Sequence, residues 1–207
     1  MTISARMPQL VRAAVVGYLL GTFPTADLVA RRASGGQVDL RAAGTGNPGG
    51  ANAIKVLGAK AGATVIAGDI VKGAAASAIG AVVAGPVGAH VAGTSSVIGH
   101  CYPVWNGFRG GKGVAASVGQ CLATFPAYFP IDAAVAVVTA AVPRWKQRAF
   151  AATVVSSVCW VLGGVVWWRR RLPNAWGPKP TVSLPVASAI SSAIIMRRFI
   201  VAAKPAA

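Results

Sequence analysis

Apolar runs of membrane-spanning length follow one another along this chain, and short basic or glycine-rich stretches separate them. Hydrophobic residues make up 55% of the 207 residues and charged residues only 12%, which is far from the balance of a water-soluble domain. A bilayer offers no partners to free backbone groups, so runs of this kind fold as helices. We therefore predict an all-α, polytopic membrane protein with about seven transmembrane helices, some of them short or broken by proline.

The predicted organisation is a single membrane domain over residues 1–207. Its expected spans cover residues 9–30, 61–84, 87–101, 114–125, 127–142, 149–168 and 181–196. The links at 31–60, 102–113 and 143–148 carry lysine and arginine, so the positive-inside rule predicts that they are cytoplasmic. The cluster Arg169–Arg171 then falls on the opposite side. Either the charge bias is overruled there, or the number of spans differs by one.

The net charge of the chain indicates which kinds of molecule it can bind. Twenty Lys and Arg stand against four acids, which gives a net charge of +16. A nucleic-acid-binding protein could carry this excess, but it would not combine it with so apolar a chain, so we expect no nucleic acid as partner. We expect the charge to attract anionic membrane lipids instead. The three cysteines show no CxxC spacing and no HExxH motif is present, so the sequence predicts no metal site.

Two glycine-rich stretches hold the polar residues of the predicted cytoplasmic edge. They run from Gly44 to Lys55 and from Arg109 to Gly113. Glycines let the backbone turn sharply and aim successive N–H groups at one point, and lysine adds a mobile positive charge; phosphate oxygens suit this combination. Neither stretch is a nucleotide-binding motif, because no strand precedes the GxGxxG pattern at Gly44 and a Walker loop would need Ser or Thr at Gly113.

Three polar residues inside the predicted spans are further candidates for the site. Asp69 and Lys72 are three residues apart, so they share one helix face and can pair. The pair is either a neutralised structural element or the mark of a site, since charges inside a membrane are rare. His100 ends the third predicted span, where hydrogen bonding is favoured over catalysis. We predict that these three residues support the site.

The residues leave few reaction mechanisms open. No GxSxG motif is present, no Ser-His-Asp arrangement is evident, and the few acids disfavour proton abstraction by a carboxylate. Positioning and electrostatics remain: two phosphates held close together, one on a leaving group and one on an acceptor, could react without a protein nucleophile. A membrane transferase that uses an activated phosphate fits this description, and so does a passive anion-binding membrane protein.

Four motifs occur in a fixed order. They are Gly21-Thr22-Phe23-Pro24-Thr25-Ala26, Asp39-Leu40-Arg41 through Gly44-Thr45-Gly46-Asn47-Pro48-Gly49, Asp69-Ile70-Val71-Lys72-Gly73, and Gly99-His100-Cys101-Tyr102-Pro103 through Gly110-Gly111-Lys112-Gly113. Over residues 10–120 the chain resembles the PlsY-type glycerol-3-phosphate acyltransferases of bacterial membranes. The resemblance implies a seven-helix enzyme of the inner (plasma) membrane with its site on the cytoplasmic face and no cofactor.

The resemblance also implies a reaction and a set of site residues. The reaction is acyl transfer from acyl phosphate to the sn-1 hydroxyl of glycerol 3-phosphate, which gives lysophosphatidic acid for phospholipid synthesis. Carried over by position, the catalytic residues are Thr45, Asn47, Lys55 and Lys112. The residues that would bind the substrate phosphates are Gly44, Gly46, Gly49, Gly50, Asn52, Arg109, Gly110, Gly111 and Gly113.

The chain departs from the family pattern at several positions. Ala51 lacks a hydroxyl that the family has, and Lys55 replaces an arginine whose planar fork can grip a phosphate with two hydrogen bonds. The last helix of the family ends in a segment with His, Glu and Asn, where this chain reads Arg197-Arg198-Phe199-Ile200-Val201. The alternatives are therefore a degenerate paralogue that binds phosphate or phospholipid without turnover and, less favoured, a small membrane transporter.

Overall fold

The computed structural model describes residues 3–145 and 147–202, and every regular element within them is helical. Residue 146 of the predicted link 143–148 and the two ends of the predicted domain lie outside the described residues. The helices are α1 (Ile3–Gly21), α2 (Thr25–Ser34), α3 (Gly50–Leu57), α4 (Ala59–Cys101), α5 (Val114–Thr124), α6 (Phe129–Ala141), α7 (Arg148–Arg170) and α8 (Ser183–Ala202). The all-α prediction is confirmed.

Helix α4 bends in its middle, where the sequence places a break before Pro86. Ala84 and Gly85 have non-helical backbone angles, with a φ of 67° at Gly85. Proline lacks an N–H group and crowds the preceding turn, so the helix can continue past it only with such a distortion. When the two arms of α4 are counted separately, the described residues contain seven apolar helices together with the short α2 and α3. This number agrees with the predicted count of about seven.

The first apolar stretch is also interrupted. The sequence predicts one span over residues 9–30, whereas α1 ends at Gly21 and α2 begins at Thr25. Pro24 explains the interruption, because proline cannot donate to the helix and disfavours helical angles at the residue before it. In the turn between the two helices, the carbonyl of Phe23 accepts the N–H of Thr25 and a hydrogen bond from Lys72 of α4.

Within the described part of the chain, four stretches are long and apolar enough to cross a membrane: Met7–Ser34, Ala59–Asn106, Arg148–Arg170 and Ser183–Ala202. Helices α5 and α6, of 11 and 13 residues, are shorter than the about 20 residues that a full crossing needs. The limits of the individual spans within the bilayer stay predictions.

Close helix contacts hold the bundle together. At Gly21 of α1 a methyl group would collide with the carbonyl of Ser96 in α4, and at Gly73 of α4 it would collide with the carbonyl of Ala116 in α5. Small residues at such crossings let helices approach closely, which is how helices associate in lipid. The long helix α4 is therefore fixed by α1 on one side and α5 on the other.

Two apolar clusters carry the loops at one end of this bundle. The first joins α2, the following loop, α3 and α4 through Ala26, Ala30, Leu40, Ala53 and Val65. The second joins α4, α5 and α8 through Val97, Cys101, Ala116 and Ile195. These clusters set the positions of the two glycine-rich stretches. A third cluster packs Phe125, Tyr128 and Trp160 between α5, α6 and α7.

Candidate active site

The first glycine-rich stretch is organised around the side chain of Asn52, which is 2% exposed. Its amide group donates to the carbonyl oxygens of Leu40 at 3.0 Å and Ala43 at 2.9 Å, and its Oδ1 accepts the N–H of Thr45 at 2.8 Å. The side chain thus replaces the backbone partners that an irregular loop lacks. The role of Asn52 towards phosphate stays a prediction, since this structure shows it holding the loop.

The groups that this loop presents outward are few. Gly46 donates its N–H to the carbonyl of Ala43, and Gly49 donates its N–H to that of Asn47. Helix α3 begins directly afterwards at Gly50 without a side-chain cap. The first N–H groups of a helix carry a partial positive charge and attract anions. The N-terminus of α3, the exposed Thr45 and the half-buried Asn47 are therefore what the loop offers to a ligand.

The second glycine-rich stretch folds back onto the end of α4. Gly110 donates its N–H to the carbonyl of Cys101 at 3.2 Å, and Gly111 donates its N–H to that of His100 at 3.1 Å. A methyl group at Gly110 would collide with the His100 carbonyl, and one at Gly111 would collide with the His100 ring. Glycine is needed here for close approach. Direct phosphate binding by these two glycines stays a prediction, since their N–H groups are engaged within the protein.

Lys112 follows these glycines and lies in an unusually cationic environment. Its side chain is half-buried, and its Nζ lies 4.2 Å from the centre of the Phe199 ring in α8. Burial, followed by the nearby cations of Arg198 and Lys55, lowers the pKa of the Lys112 amine from its usual value. Lys55, Lys112 and Arg198 therefore lie close enough to interact, although the sequence separates them widely.

None of these three cations forms an ion pair with a carboxylate within residues 3–145 and 147–202. The acids of the site are engaged elsewhere. Asp27 receives two hydrogen bonds from Arg41, and Asp69 pairs with Lys72. Such a group of cations without a carboxylate partner is suited to hold the charge of a phosphate.

Arg41, which precedes the first glycine-rich stretch, connects the second stretch to helix α2. Its Nη atoms bind Asp27 at the start of α2, and its Nε donates to the carbonyl of Arg109 at 3.0 Å. Asn106 donates a further hydrogen bond to Asp27 at 2.8 Å. The side chain of Arg109 itself is exposed. Arg41 is a site residue that is not among those predicted from the sequence; its signal was the acid at Asp27, which needs a partner near the membrane.

A small cavity lies next to these connections. It is lined by the turn between α1 and α2, by α4 and by the second glycine-rich stretch: Gly21, Thr22, Phe23, Pro24, Thr25, Ala26, Asp27, Arg41, Pro48, Asp69, Lys72, His100, Pro103, Asn106, Gly110 and Gly111. Lys72 donates to the Phe23 carbonyl at 3.0 Å, and His100 Nδ1 lies 3.6 Å from Asp69. The three predicted supporting residues are thus grouped at the wall of one cavity.

Comparison with known proteins identifies the family. The sequence model described as glycerol-3-phosphate acyltransferase matches residues 11–202. The chain belongs to this family. A glycerol-3-phosphate acyltransferase of Geobacillus kaustophilus (strain HTA426) is 40% identical over 148 residues, covering 72% of this chain and 74% of the relative. One of Thermoanaerobacter pseudethanolicus (strain ATCC 33223 / 39E) is 36% identical over 155 residues, covering 75% of this chain and 76% of the relative.

Solved structures agree with this membership. The crystal structure of PlsY, an integral membrane glycerol 3-phosphate acyltransferase in its glycerol 3-phosphate form, has a TM-score of 0.73 and 27% identity and covers 92% of this chain and 88% of that one. Its lysophosphatidic acid form gives a TM-score of 0.71 and 26% identity, and covers 91% of this chain and 87% of that one. The predicted PlsY-type resemblance is confirmed, and the chain is a multi-pass membrane enzyme of the acyltransferase family.

Proposed function

We propose that this enzyme transfers an acyl chain from an acyl phosphate to the sn-1 hydroxyl of glycerol 3-phosphate, giving lysophosphatidic acid and inorganic phosphate. The observation that carries the proposal is the group of cations formed by Lys55, Lys112 and Arg198, together with the uncapped N-terminus of α3. Both substrates carry a phosphate. The three cations come from different parts of the chain: Lys55 from the first glycine-rich stretch, Lys112 from the second, and Arg198 from the end of α8. Family membership supports glycerol 3-phosphate as the acceptor.

The reaction needs charge stabilisation more than a protein nucleophile. The sn-1 oxygen attacks the acyl carbonyl carbon and forms the new ester bond. The bond between that carbon and the phosphate oxygen breaks, and the phosphate leaves with the electron pair and takes up the hydroxyl proton. Fixed cations stabilise the charge that develops on the leaving phosphate, and holding both substrates in place removes most of the entropic cost.

The site residues take distinct roles in this proposal. Lys112 and Lys55 neutralise phosphate charge, whereas Thr45 and Asn47 contact substrate from the first glycine-rich stretch. Asn52 is assigned to holding that stretch in shape, because its side-chain amide is fully used within the loop. The Asp69–Lys72 pair and His100 line the neighbouring cavity.

The decisive experiment is a turnover assay with the purified protein in detergent. Labelled glycerol 3-phosphate and palmitoyl phosphate should give equal amounts of lysophosphatidic acid and inorganic phosphate, with the chain on the sn-1 oxygen. Acyl-coenzyme A in place of palmitoyl phosphate tests the donor class and should give no product. Lys112→Ala should remove turnover, whereas Lys60→Ala, which alters an exposed lysine at the start of α4, should not.

The same assay separates the proposal from its alternative. Binding of labelled glycerol 3-phosphate without turnover would indicate a degenerate paralogue. Full turnover with acyl-coenzyme A would overturn the acyl phosphate donor but keep the acceptor. Unchanged turnover in Lys112→Ala would overturn the site assignment.

We further propose that the site faces the cytoplasm from the inner membrane. The links 31–60 and 102–113, which contain both glycine-rich stretches, are rich in positive charge. Single cysteines at Gln37 and Lys179, both exposed, probe the two sides in a chain whose native cysteines have been replaced. An impermeant thiol reagent should label the Lys179→Cys protein in intact spheroplasts and the Gln37→Cys protein only after permeabilisation. The reverse pattern would place the site on the other side.

A further inference from the structure

The end of helix α8 reaches across the bundle to the second glycine-rich stretch. Arg198 donates from Nε to the carbonyl oxygen of Gly111 at 3.1 Å and from Nη2 to that of Gly110. One planar guanidinium group therefore holds two consecutive carbonyl groups. A lysine in this position could not reproduce that arrangement, because its ammonium group is a point charge rather than a rigid fork.

The two glycines need such an external constraint. The segment Gly110–Gly111 has no side chain of its own to anchor it, so it depends on close contact with the end of α4 and on hydrogen bonds of its backbone. Glycine has the greatest conformational freedom of any residue. Their N–H groups are held from one side by Cys101 and His100 of α4. Arg198 holds their carbonyl groups from the other side. Together the two sets of bonds engage the N–H and the carbonyl group of both glycines.

Lys112 is the next residue, so its position depends on this restraint. Its ammonium group lies over the ring of Phe199, the residue that follows Arg198 in α8. The contact between a cation and an aromatic face is attractive. Helix α8 thus fixes both the backbone that leads into Lys112 and the side chain of Lys112 itself. Arg198 adds a second positive charge beside that amine.

We propose that Arg198 is a positioning residue that holds the Gly110–Gly111 turn and, through it, aims Lys112 at the substrate phosphate. The expected effect of Arg198 on turnover rests on the proposed function. The restraint of the turn by Arg198 does not. In this proposal the end of α8, where the chain has a pair of arginines, serves to hold the turn in place.

Arg197 is a matched control within the same helix end. It is exposed and donates to the hydroxyl of Tyr102 at 2.8 Å, whereas the bonds to the glycine carbonyls come from Arg198. Both guanidinium groups lie over the Tyr102 ring, so that contact is common to the two arginines. Arg197→Gln and Arg198→Gln each remove one positive charge, at neighbouring positions of the helix. A general effect of lost charge at the end of α8 should therefore appear in both variants, whereas a specific restraint should appear only in the second.

Amide hydrogen exchange tests the restraint without any need for turnover. In Arg198→Gln, exchange of the amides of residues 109–113 should accelerate by about tenfold or more, because strong charge-assisted bonds to the turn are lost. Exchange in α4 should not change. Arg197→Gln should match the wild type throughout. An unchanged rate for residues 109–113 in Arg198→Gln, or an equal acceleration in Arg197→Gln, would overturn the proposal.

Kinetics then test the consequence for Lys112. Arg198→Gln should raise the KM for glycerol 3-phosphate or lower kcat by about tenfold or more, with an unfolding temperature close to that of the wild type. Arg198→Lys keeps the charge but not the fork, so it should stay closer to Arg198→Gln than to the wild type. Full rescue by lysine would show that charge alone suffices. If the wild type itself does not turn over, the proposed function fails, while the exchange experiment still decides the role of Arg198.

Discussion

The Nζ atom of Lys72 lies 2.9 Å from the carboxylate of Asp69, one helical turn earlier in α4, and both side chains are buried. Lys72 also donates to the carbonyl of Phe23, which accepts the N–H of Thr25 as well, in the turn where Pro24 interrupts the first apolar stretch. The pair thus neutralises itself and also ties α4 to the break between α1 and α2. This contact fixes one wall of the cavity beside the site.

Removing one member of this pair should destabilise the fold. In Lys72→Met the Asp69 carboxylate stays buried with only His100 nearby, and breaking a buried pair in this way costs about 3–5 kcal/mol. The double variant Asp69→Asn with Lys72→Met should recover most of the loss. Unfolding followed in detergent checks both, with Val71→Ala, an exposed neighbour, as the control. A loss below about 1 kcal/mol, the range of exposed pairs, would contradict this view.

Asn52 should matter for activity although it lies below the surface. Asn52→Ala removes three hydrogen bonds, at about 1 kcal/mol each, from the loop that holds Thr45. We expect kcat/KM to fall by at least about tenfold and amide exchange of residues 40–50 to rise. Thr64→Ala, which removes one exposed bond to the Lys60 carbonyl, is the control and should behave like the wild type. Loss of activity without faster exchange would instead favour a direct contact with substrate.

Gly110→Ala should impair catalysis without changing any charge. The added methyl group would meet the His100 carbonyl, which is part of the helix backbone and has no freedom to turn away. A displacement of about 1 Å in a site can cost about 10²-fold in rate, so we expect a loss of this order in kcat/KM. Gly107→Ala, where the space is open but φ is 58°, should cost stability of about 1–2 kcal/mol and little activity. Equal activities of the two variants would argue against close packing as the cause.

The pH dependence of kcat/KM should report on Lys112. Because the pKa of its amine is lowered, the ammonium form that attracts phosphate should be lost on the alkaline side before the usual value of about 10.4. The value of kcat/KM for glycerol 3-phosphate should fall as the pH rises through this lowered pKa, since kcat/KM follows the free enzyme. Lys112→Arg stays charged and should flatten the decline, even if its overall activity is lower. An identical decline in both proteins would assign the titration to another group.

Local features of this protein could be predicted from its sequence. The helical class follows from the apolar runs, and the Asp69–Lys72 pair follows from a spacing of three residues on a helix. Pro86 predicted the bend in α4. Pro24 lies inside a predicted span, and the complete break between α1 and α2 became clear only in the structure, because a single proline can either kink a helix or end it.

The contacts of the glycine-rich stretches could not be predicted from the sequence. Their residue types pointed to a phosphate site, yet the engaged N–H groups of Gly110 and Gly111 were not foreseen, since a glycine can serve a sharp turn, a ligand or close packing equally well. The end of α8 was interpreted as a loss of site residues. The structure instead places Arg198 on the carbonyl groups of the turn.

The sequence by itself determined a helical membrane protein, the two glycine-rich stretches and the family to which they point. These depend on hydrophobicity and on residues near one another in the chain. Only the tertiary structure decided which partners the arginines of the site bind. Arg198 lies 87 positions from Gly111 in the sequence, and Arg41 lies 14 positions from Asp27. Such pairs are chosen by how α1, α4, α5 and α8 pack, and packing depends on the fit of whole helix surfaces rather than on any local pattern.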